Sequence, residues 1–335
     1  MIAVTGATGL VGTHLLAALV EKKENVRAFY RTEAKRDEAI KVMEEVYGEK
    51  IRETAAHIQW IQLDILDLNM LSKNLEGVDY IYHCAGIISN KPAEFRYIRK
   101  VNIEGTANVL NMALKKKVRK VCHVSSVAAL GHNQGGEIDE SSVRDNNKSV
   151  SDYSIAKYGA EMEAWRAAEE GLSLVMVNPS IIIGEGFYNS GSGQLLQKIK
   201  TGTNFYIEKV GGFVDVQDVV AAMIKLMNSN IKQERFIISA ENKSIKDFMK
   251  MLSLELDQKP PRYKLRKSVL YAFWFIELIL GFLGVKKRSL TLEIINELHS
   301  KSYYDNSKIK KAIDFQFTPM KDTITRVAKH LSKSD

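Results

Sequence analysis

Two short motifs of this chain carry groups that could do chemistry. Gly6, Gly9 and Gly12 recur at three-residue spacing between an apolar run and an amphipathic stretch, and Tyr153 and Lys157 lie four residues apart far downstream. Glycines in such a turn let the backbone approach a phosphate group at the N-terminus of the next helix. A phenol and an ammonium on one helical face can exchange a proton with a reacting oxygen. In this order, the two motifs predict hydride transfer with a nicotinamide coenzyme.

Tyr153 would be the acid–base group. A free tyrosine has a pKa of about 10, and the Lys157 ammonium together with the positive ring of an oxidised nicotinamide would lower it by favouring the phenolate. Ser126 follows an apolar run, and its hydroxyl could stabilise charge on the reacting carbonyl oxygen. It is chosen over Ser125 because residues 127–131 read as the loop that leaves the strand. Such Tyr/Lys pairs also occur by chance on many helices, but here the serines precede the pair within a dinucleotide-binding pattern.

The end of the second apolar run bears on the choice between NAD and NADP. It reads Phe29-Tyr30-Arg31, where an NAD-binding protein usually has an acidic residue. A guanidinium can instead form two hydrogen bonds with a 2′-phosphate. The sequence therefore predicts NADP(H) as the preferred coenzyme, with NAD(H) as the alternative. Arg31 could equally begin a solvent-exposed helix, and the two interpretations are compatible.

Two further apolar runs end in residues suited to a dinucleotide. Asp64 and Ile65 follow the third run, where a carboxylate could accept a hydrogen bond from the adenine amino group. Ala85 and Gly86 end the fourth, where small residues would let the coenzyme pass closely. Asn102 lies on a helix that would run past the same site. The predicted contacts thus gather where open α/β sheets bind their ligands.

Alternating apolar runs and amphipathic stretches must position these residues. Strands are predicted at residues 2–5, 26–30, 58–63, 79–84, 120–125 and 173–178. Helices are predicted at residues 10–22, 33–54, 67–75, 94–116 and 152–170. Strand–helix alternation with nearly continuous apolar strands is typical of an α/β fold with a doubly wound parallel sheet, the Rossmann architecture.

The alternation stops after Pro179. Residues 184–193 read as a glycine-rich loop, 213–220 as a short strand running into a helix, and 234–240 as one more strand. The remainder, from Glu241, is predicted to be mainly helical. We therefore expect an NADP-binding Rossmann domain and a smaller, discontinuous, mainly helical C-terminal substrate-binding domain. The first would comprise residues 1–178 plus 213–240, and the second residues 179–212 plus 241–335.

The composition excludes several other classes of protein. Cys84 and Cys122, the two cysteines of the 335 residues, form no metal-ligand spacing and no disulfide framework, so we expect no metal site and a reducing, cytoplasmic location. An apparent strand begins at Ile2, so no signal peptide is expected.

The net charge is +8, and residues 258–335 hold 16 basic and 7 acidic residues, which accounts for the whole excess of basic residues. An anionic substrate or a membrane surface would fit this excess, whereas no motif indicates a nucleic-acid partner.

The most apolar segment is residues 269–285, whose single charged residue is Glu277. Basic residues precede it within 262–267 and follow it at 286–288. A transmembrane span needs about 20 apolar residues, so these 17 are few. The first interpretation is a buried lid helix over an apolar substrate, the second a peripheral membrane contact on anionic lipid, and the third a transmembrane span. The first two interpretations both predict an apolar small-molecule substrate that is polycyclic or lipid-like.

As a set, these motifs resemble a known family. The chain is similar to the extended short-chain dehydrogenases/reductases, also called the NAD-dependent epimerase/dehydratase group, over about residues 1–240. Within the group it looks most like dihydroflavonol 4-reductase and 3β-hydroxysteroid dehydrogenase relatives, because of Arg31 and the C-terminal layout that ends in residues 303–308. The resemblance is carried by residues 5–12, Asp64, Ala85-Gly86, Asn102, Ser126, Tyr153, Lys157, Asn178-Pro179-Ser180 and 213–219.

The resemblance implies a Ser-Tyr-Lys triad with Asn102 in support, NADP as coenzyme, and a ketone or secondary alcohol as substrate. The predicted catalytic residues are Ser126, Tyr153, Lys157 and Asn102. The predicted coenzyme-binding residues are Gly6, Thr8, Gly9, Leu10, Val11, Gly12, Arg31, Asp64, Ile65, Ala85, Gly86, Tyr153, Lys157, Pro179 and Ser180. The leading hypothesis is thus an NADP-dependent oxidoreductase that acts on a flavonoid-, sterol- or lipid-like molecule.

Other functions on the same fold stay open. The first alternative is a nucleotide-sugar epimerase or dehydratase with tightly bound NAD, and the second is a redox sensor that binds NADP without turnover. The family often has proline after Gly184, where this chain has Glu185, and histidine where it has Asp215. Both positions are expected to border the substrate pocket, so the substrate cannot be carried over. A homodimer through a helical bundle is common in the family, and the sequence leaves it open.

Overall fold

A computed structural model describes residues 1–48, 51, 53, 55–89, 92–131, 136–144, 150–282 and 290–333. The strands are β1 Ile2–Thr5, β2 Val26–Tyr30, β3 Ile58–Gln62, β4 Tyr80–His83, β5 Lys120–Val124, β6 Leu174–Pro179, β7 Ile181–Ile183, β8 Phe205–Tyr206, β9 Val210–Asp215, β10 Glu234–Ile238, β11 Glu241–Ser244 and β12 Tyr263–Lys264. The helices are α1 Leu10–Glu21, α2 Glu33–Tyr47, α3 Leu68–Asn74, α4 Phe95–Arg99, α5 Gly105–Lys115, α6 Asp152–Glu169, α7 Gly193–Lys200, α8 Val216–Met227, α9 Ile245–Glu255, α10 Lys267–Phe282, α11 Leu292–Glu297, α12 Ser307–Ile313 and α13 Met320–Leu331.

A seven-stranded sheet has the order β10-β6-β5-β4-β1-β2-β3, and all neighbouring strands in it are parallel. The strand order reverses between β1 and β4, and this switch point is where open α/β sheets bind ligands. The predicted α/β fold with a doubly wound parallel sheet is confirmed. The six strands predicted first all lie within one residue of their expected bounds.

Helices cover both faces of this sheet. On one face, α1 and α8 bury Leu15 and Met223 in a core that includes Val4 of β1. On the other face, α5 buries Leu110 in a core that includes Ile81 of β4. Strands that are buried on both faces read as continuous apolar runs, which is why the sequence located them well.

Two helices differ from their predicted bounds. α2 ends at Tyr47, well before residue 54, because Gly48 adopts a φ of 77° that terminates the helix. Residues 49, 50, 52 and 54 of that prediction lie outside the described residues. The helix predicted at 94–116 consists of α4, a π-helical turn over Lys100–Glu104, and α5. Asn102 lies in this turn, and π-helical turns are frequent at functional sites.

A second sheet, in the order β11-β9-β7, lies beyond β6 in the chain. β9 pairs in parallel with β7 and antiparallel with β11. Helices α7, α9 and α13 share a core with this sheet that includes Phe213, Phe248 and Ile324. β11 and the short β12 interrupt the region expected to be mainly helical. The division into two domains at the expected boundaries stays a prediction, and Phe213 to Asp215 pair in this second sheet.

The described part of the chain contains no helix whose length and apolar character would let it cross a membrane.

Candidate active site

The predicted glycine turn joins β1 to α1. Gly6 has a φ of 64°, and a Cβ there would lie 2.5 Å from the backbone nitrogen of Ala85. A Cβ on Gly12 would lie 2.1 Å from the carbonyl oxygen of Gly6. Both distances are too short for non-bonded atoms. Gly6 is therefore needed where the turn meets the end of β4, and Gly12 where α1 packs on the turn itself.

Gly9 is the open position of the turn. The nearest atom to a Cβ on Gly9 would be the carbonyl oxygen of Gly6 at 3.6 Å, and Gly9 caps α1 without a side-chain hydrogen bond. The first N–H groups of a helix have no partner inside the helix and carry the positive end of its dipole. Thr8, Leu10 and Val11 are half-buried beside them. The turn therefore fits a dinucleotide phosphate.

Arg31 follows β2 at the carboxyl edge of the sheet. Its exposed guanidinium donates to the Tyr97 hydroxyl at 2.9 Å, and the Gln62 side-chain amide donates to its carbonyl at 3.0 Å. The described residues give this guanidinium no carboxylate partner, whereas nearby Lys35 pairs with Glu38 at 2.6 Å. Arg31 is therefore available to an anion.

Asp64 and Ile65 follow β3 at the same edge. The Asp64 carboxylate accepts from the backbone N–H of Leu66 at 2.9 Å. Ile65 packs on α5 so closely that a Cβ on Gly105 would lie 2.5 Å from its Cδ1. Both residues thus hold the turn after β3, and their predicted contact with the coenzyme stays a prediction.

Gly86 connects this edge with the predicted catalytic residues. A Cβ on Gly86 would lie 3.3 Å from Lys157 Nζ and 3.6 Å from Asn102 Oδ1. Asn102 is buried, donates from Nδ2 to the Ile87 carbonyl at 3.0 Å, and accepts at Oδ1 from the Ile87 N–H at 2.8 Å. Asn102 therefore positions the backbone that passes Lys157.

Helix α6 presents Tyr153 and Lys157 at the carboxyl end of β5. The Tyr153 phenol lies close enough to the Ser126 hydroxyl for Ser126 to affect its pKa. Lys157 is only 7% exposed, and its Nζ donates to the Val124 carbonyl at 3.0 Å. The Ser126 hydroxyl also accepts from the Ala128 N–H at 3.1 Å. The tertiary structure thus brings three of the four predicted catalytic side chains, Ser126, Tyr153 and Lys157, to one strand end.

The pKa values of the two α6 residues move in opposite directions. Burial raises the pKa of Tyr153 to about 12, an effect that the nearby Ser126 hydroxyl opposes. Burial lowers the pKa of Lys157 to about 8, although the nearby Cys84 and Glu161 oppose this shift. The expected lowering of the Tyr153 pKa is therefore not produced by the protein's own groups, because loss of water around the phenol outweighs neighbouring charge. Near neutral pH, the Tyr153 phenol therefore keeps its proton.

A cavity of about 190 Å³ opens beside Tyr153. Its wall combines α4, the start of α6 and the start of α11. Arg99 and Asp152, both in this wall, form an ion pair. The apolar lining residues include Phe95, Val150, Ile155 and Ile294. A substrate carbonyl in this cavity could reach the Tyr153 hydroxyl.

Glu161 is a buried carboxylate behind this site that the sequence reading missed. It lies one turn beyond Lys157 on α6 and has no exposed surface. It accepts from the Ser125 hydroxyl at 2.6 Å and pairs with Arg235 of β10 at 2.5 Å. The signal in the sequence was its four-residue spacing from Lys157, which puts it on the buried face of the helix.

Asn178 extends this contact to the main chain of the site. Its Nδ2 donates to Glu161 Oε2 at 2.8 Å and to the Ser126 carbonyl at 3.0 Å. α6 is therefore tied to β5, β6 and β10 directly behind the Ser126 backbone.

Pro179 and Ser180 close β6 on the side of the second sheet. The Ser180 N–H donates to the Ile238 carbonyl at 3.1 Å, and a Cβ on Gly212 would lie 2.8 Å from the Ser180 Cβ. Their described contacts do not include Ser126 or Tyr153, and their role in coenzyme binding stays a prediction.

A family model ties this geometry to known proteins. The model of the NAD dependent epimerase/dehydratase family matches residues 2–239. The chain belongs to this family. The match runs from β1 through β10 and therefore includes the whole seven-stranded sheet. The resemblance inferred from the motifs is confirmed.

Individual relatives cover most of the chain. It is 30% identical over 264 residues to "Sterol demethylase protein B" from Methylococcus capsulatus, which covers 77% of this chain and 75% of that protein. It is 26% identical over 329 residues to "Putative dihydroflavonol 4-reductase" from Synechocystis sp., which covers 96% and 91%. The crystal structure of gox2253 matches with a TM-score of 0.82 at 26% identity, covering 99% of this chain and 97% of that one. This member of the epimerase/dehydratase family is an extended short-chain oxidoreductase that uses NAD(P).

The two departures from the family pattern form one interaction. Arg326 of α13 pairs with Glu185 at 2.5 Å and with Asp215 at 2.8 Å. Asp215 also accepts from the Thr323 hydroxyl at 2.7 Å. Neither carboxylate is among the residues that line the Tyr153 cavity. The expectation that they border the substrate pocket stays a prediction. Buried carboxylates need a cation, and Arg326 of α13 supplies it.

Proposed function

We propose that this protein is an NADP-dependent oxidoreductase that interconverts a ketone and a secondary alcohol on an apolar small molecule. The observation that carries the proposal is the proximity of the Tyr153 phenol, which lines the cavity, to the Ser126 hydroxyl, with Lys157 buried one helical turn along α6. One carbonyl oxygen could meet both hydroxyls there.

The chain's own groups would handle the proton. When bound, the coenzyme supplies a hydride to the carbonyl carbon or accepts one from the alcohol carbon. In the reducing direction, Tyr153 donates its proton to the oxygen as negative charge develops, and the Ser126 hydroxyl donates a hydrogen bond to the same oxygen. Lys157 would hold the ribose hydroxyls beside Gly86, and its positive charge would favour loss of the proton from Tyr153. In the oxidising direction, the Tyr153 phenolate accepts the proton of the alcohol.

Two observations support an apolar substrate. Phe95, Ile155 and Ile294 form apolar parts of a cavity wall that also holds the Arg99–Asp152 ion pair. The names of two relatives refer to a sterol and to a dihydroflavonol. Flavonoid-, sterol- and lipid-like ketones are therefore the first class to test.

The preference for NADP rests on the end of β2. Arg31 is exposed there, and the residues described around it offer its guanidinium no carboxylate. A 2′-phosphate would provide the anion that a guanidinium binds well.

The substitution Tyr153→Phe tests the assignment of the proton donor. It should lower kcat for ketone reduction by about 10²–10⁴-fold, because general acid catalysis contributes this much. Binding of NADPH, followed by fluorescence, should change little because the ring is retained. Tyr158→Phe on the same helix is the matched control, since Tyr158 stacks under Arg144 at 4.8 Å, and it should keep the rate.

Full turnover by Tyr153→Phe on a confirmed substrate would show that the role given to Tyr153 is wrong. Purified protein that retains NAD, and that epimerises or dehydrates a nucleotide sugar without net use of NADPH, would overturn the proposed reaction.

A further inference from the structure

Helix α10 turns its apolar side chains outward. Seven large apolar residues of this helix are between 36% and 56% exposed: Val269, Tyr271, Phe273, Phe275, Ile276, Leu278 and Ile279. At 3.6 residues per turn they cover more than half of the helix circumference. The opposite strip, with Leu270 and Glu277, is buried. We call the seven residues the outer face of α10.

α10 buries its charged residue and exposes its apolar residues, which is the opposite of a helix at a protein–water surface. Such a helix normally directs its apolar stripe to the core and its charged residues to solvent. Glu277, the single charged residue of segment 269–285, is instead 4% exposed, and its carboxylate accepts from the Leu290 N–H at 3.0 Å. The outer face of α10 therefore carries no charge and suits an apolar medium.

Exposed basic side chains lie just before and at the start of the same helix. Arg262, Lys264, Arg266 and Lys267 are all exposed, and the last quarter of the chain holds the whole basic excess. An uncharged apolar face beside a basic cluster matches the boundary between anionic headgroups and acyl chains. Lys264 pairs with Glu208, whereas the described residues give Arg262 and Arg266 no carboxylate partner.

We propose that the outer face of α10 docks this protein on a membrane surface that contains anionic phospholipid. The helix lies in the plane of the interface, with the phenyl rings of Phe273 and Phe275 at the acyl boundary and Arg262 and Arg266 at the headgroups. The docking does not depend on which reaction the site performs.

The docked orientation would bring the cavity close to the lipid. Lys267 Nζ and the Tyr271 hydroxyl both donate to Asn296 Oδ1 of α11, at 3.3 and 3.4 Å. α11 in turn contributes Ile294 to the cavity that Tyr153 lines. An apolar substrate dissolved in the membrane could then enter with little exposure to water.

Vesicle flotation with the full chain tests the proposal. Wild-type protein should float with vesicles of phosphatidylcholine plus phosphatidylglycerol, and less as salt increases, because screening weakens the headgroup contacts. F273S/I276S should weaken this binding at least about tenfold, since each side chain gains free energy on leaving water. The matched control is L68S/L254S, which removes two exposed apolar side chains, 48% and 59% exposed, from α3 and α9 and should bind like wild type.

The cations are tested separately. R262Q/R266Q should weaken binding to the anionic vesicles by about fivefold per residue at low salt, and should leave any binding to phosphatidylcholine alone unchanged. Thermal unfolding and coenzyme binding of every variant should match wild type, which separates loss of docking from loss of folding.

Three outcomes would overturn the proposal. Wild type could fail to bind either vesicle, or F273S/I276S could bind as wild type does. A wild-type dimer that dissociates in F273S/I276S, without vesicle binding, would make the face a contact between copies of this chain. Because these assays contain no substrate, they stay informative even if the proposed reaction is wrong.

Discussion

Arg31 follows β2 at the position where an NAD-binding protein usually has an acidic residue. Arg31 makes its contacts through the Tyr97 hydroxyl and its own carbonyl, and neither contact neutralises its charge. A single side chain, Arg31, therefore carries the coenzyme preference that we propose.

Arg31→Gln should weaken NADPH binding by about 10–100-fold, because hydrogen bonds to charged groups contribute about 1.5–3 kcal/mol. Binding of NADH, which lacks the 2′-phosphate, should change little. Fluorescence titration with both coenzymes measures the difference. Lys35→Gln is the control, because it removes a nearby cation that already pairs with Glu38. Equal losses for NADPH and NADH would contradict this role of Arg31.

Helix α6 is the element that organises the site. Tyr153, Lys157 and Glu161 follow each other at four-residue spacing and share one face. The first two meet the end of β5, and the third anchors the helix through Ser125 and Arg235. The buried charge of Glu161 also raises the pKa of Lys157, against the lowering by burial.

Glu161→Gln should shift the alkaline limb of the pH profile to lower pH. Wild-type kcat/KM for reduction should fall as pH rises through about 8, where Lys157 loses its proton. Without the carboxylate, the ammonium is less favoured, so its pKa falls and the limb moves to lower pH. The variant should also lose up to about 3–5 kcal/mol of stability because Arg235 loses its partner.

Ser125→Ala separates the charge of Glu161 from its packing. This variant removes a 2.6 Å hydrogen bond to the same carboxylate but keeps the carboxylate itself. Its alkaline limb should stay near that of wild type. A limb that moves equally in both variants would show that Glu161 acts on Lys157 only through structure.

The central sheet buries two histidines, His83 and His123, next to each other. The rings of His83 and His123 stack with centroids 5.1 Å apart. Burial lowers the pKa of His83 to about 3 and holds that of His123 well below its usual value, and the charge of Lys157 adds to both effects. The described residues offer neither ring nitrogen of His123 a hydrogen-bond partner. Folding therefore keeps both rings neutral.

Acid should destabilise the fold through these histidines. Their folded-state pKa lies below the unfolded value of about 6.5, so below that pH the unfolded chain binds protons that the folded chain does not. The stability is complete above about pH 6.5 and falls toward about pH 3 by up to about 1.4 kcal/mol per pH unit for each histidine.

His123→Phe keeps an aromatic ring but cannot take up a proton. Urea unfolding at several pH values should show a shallower loss of stability in acid than wild type. His57→Phe, which changes a histidine outside the sheet, is the control and should keep the wild-type steepness. An unchanged slope in His123→Phe would mean that other groups cause the acid sensitivity.

Local patterns in the sequence determined the strands, the glycine turn and the shared helical face of Tyr153 and Lys157. Strands that are buried on both faces read as apolar runs, the glycine turn needs its residues at Gly6 and Gly12 for close backbone contacts, and Tyr153 and Lys157 share a face because of helical spacing. Each of these signals depends on residues that are near each other in the chain. The family could therefore be recognised from the sequence.

Only the tertiary structure decided which distant residues meet and which faces are buried. Glu161 forms an ion pair with Arg235 of β10. Glu185 and Asp215 form ion pairs with Arg326 of α13, and the partners lie far apart in the sequence in each case. Composition showed that α10 is apolar, but a helix that is apolar nearly all round has no sequence signal for its buried side. The packing of α10 on α11 sets its outer face, because burial depends on long-range contacts that periodicity does not encode.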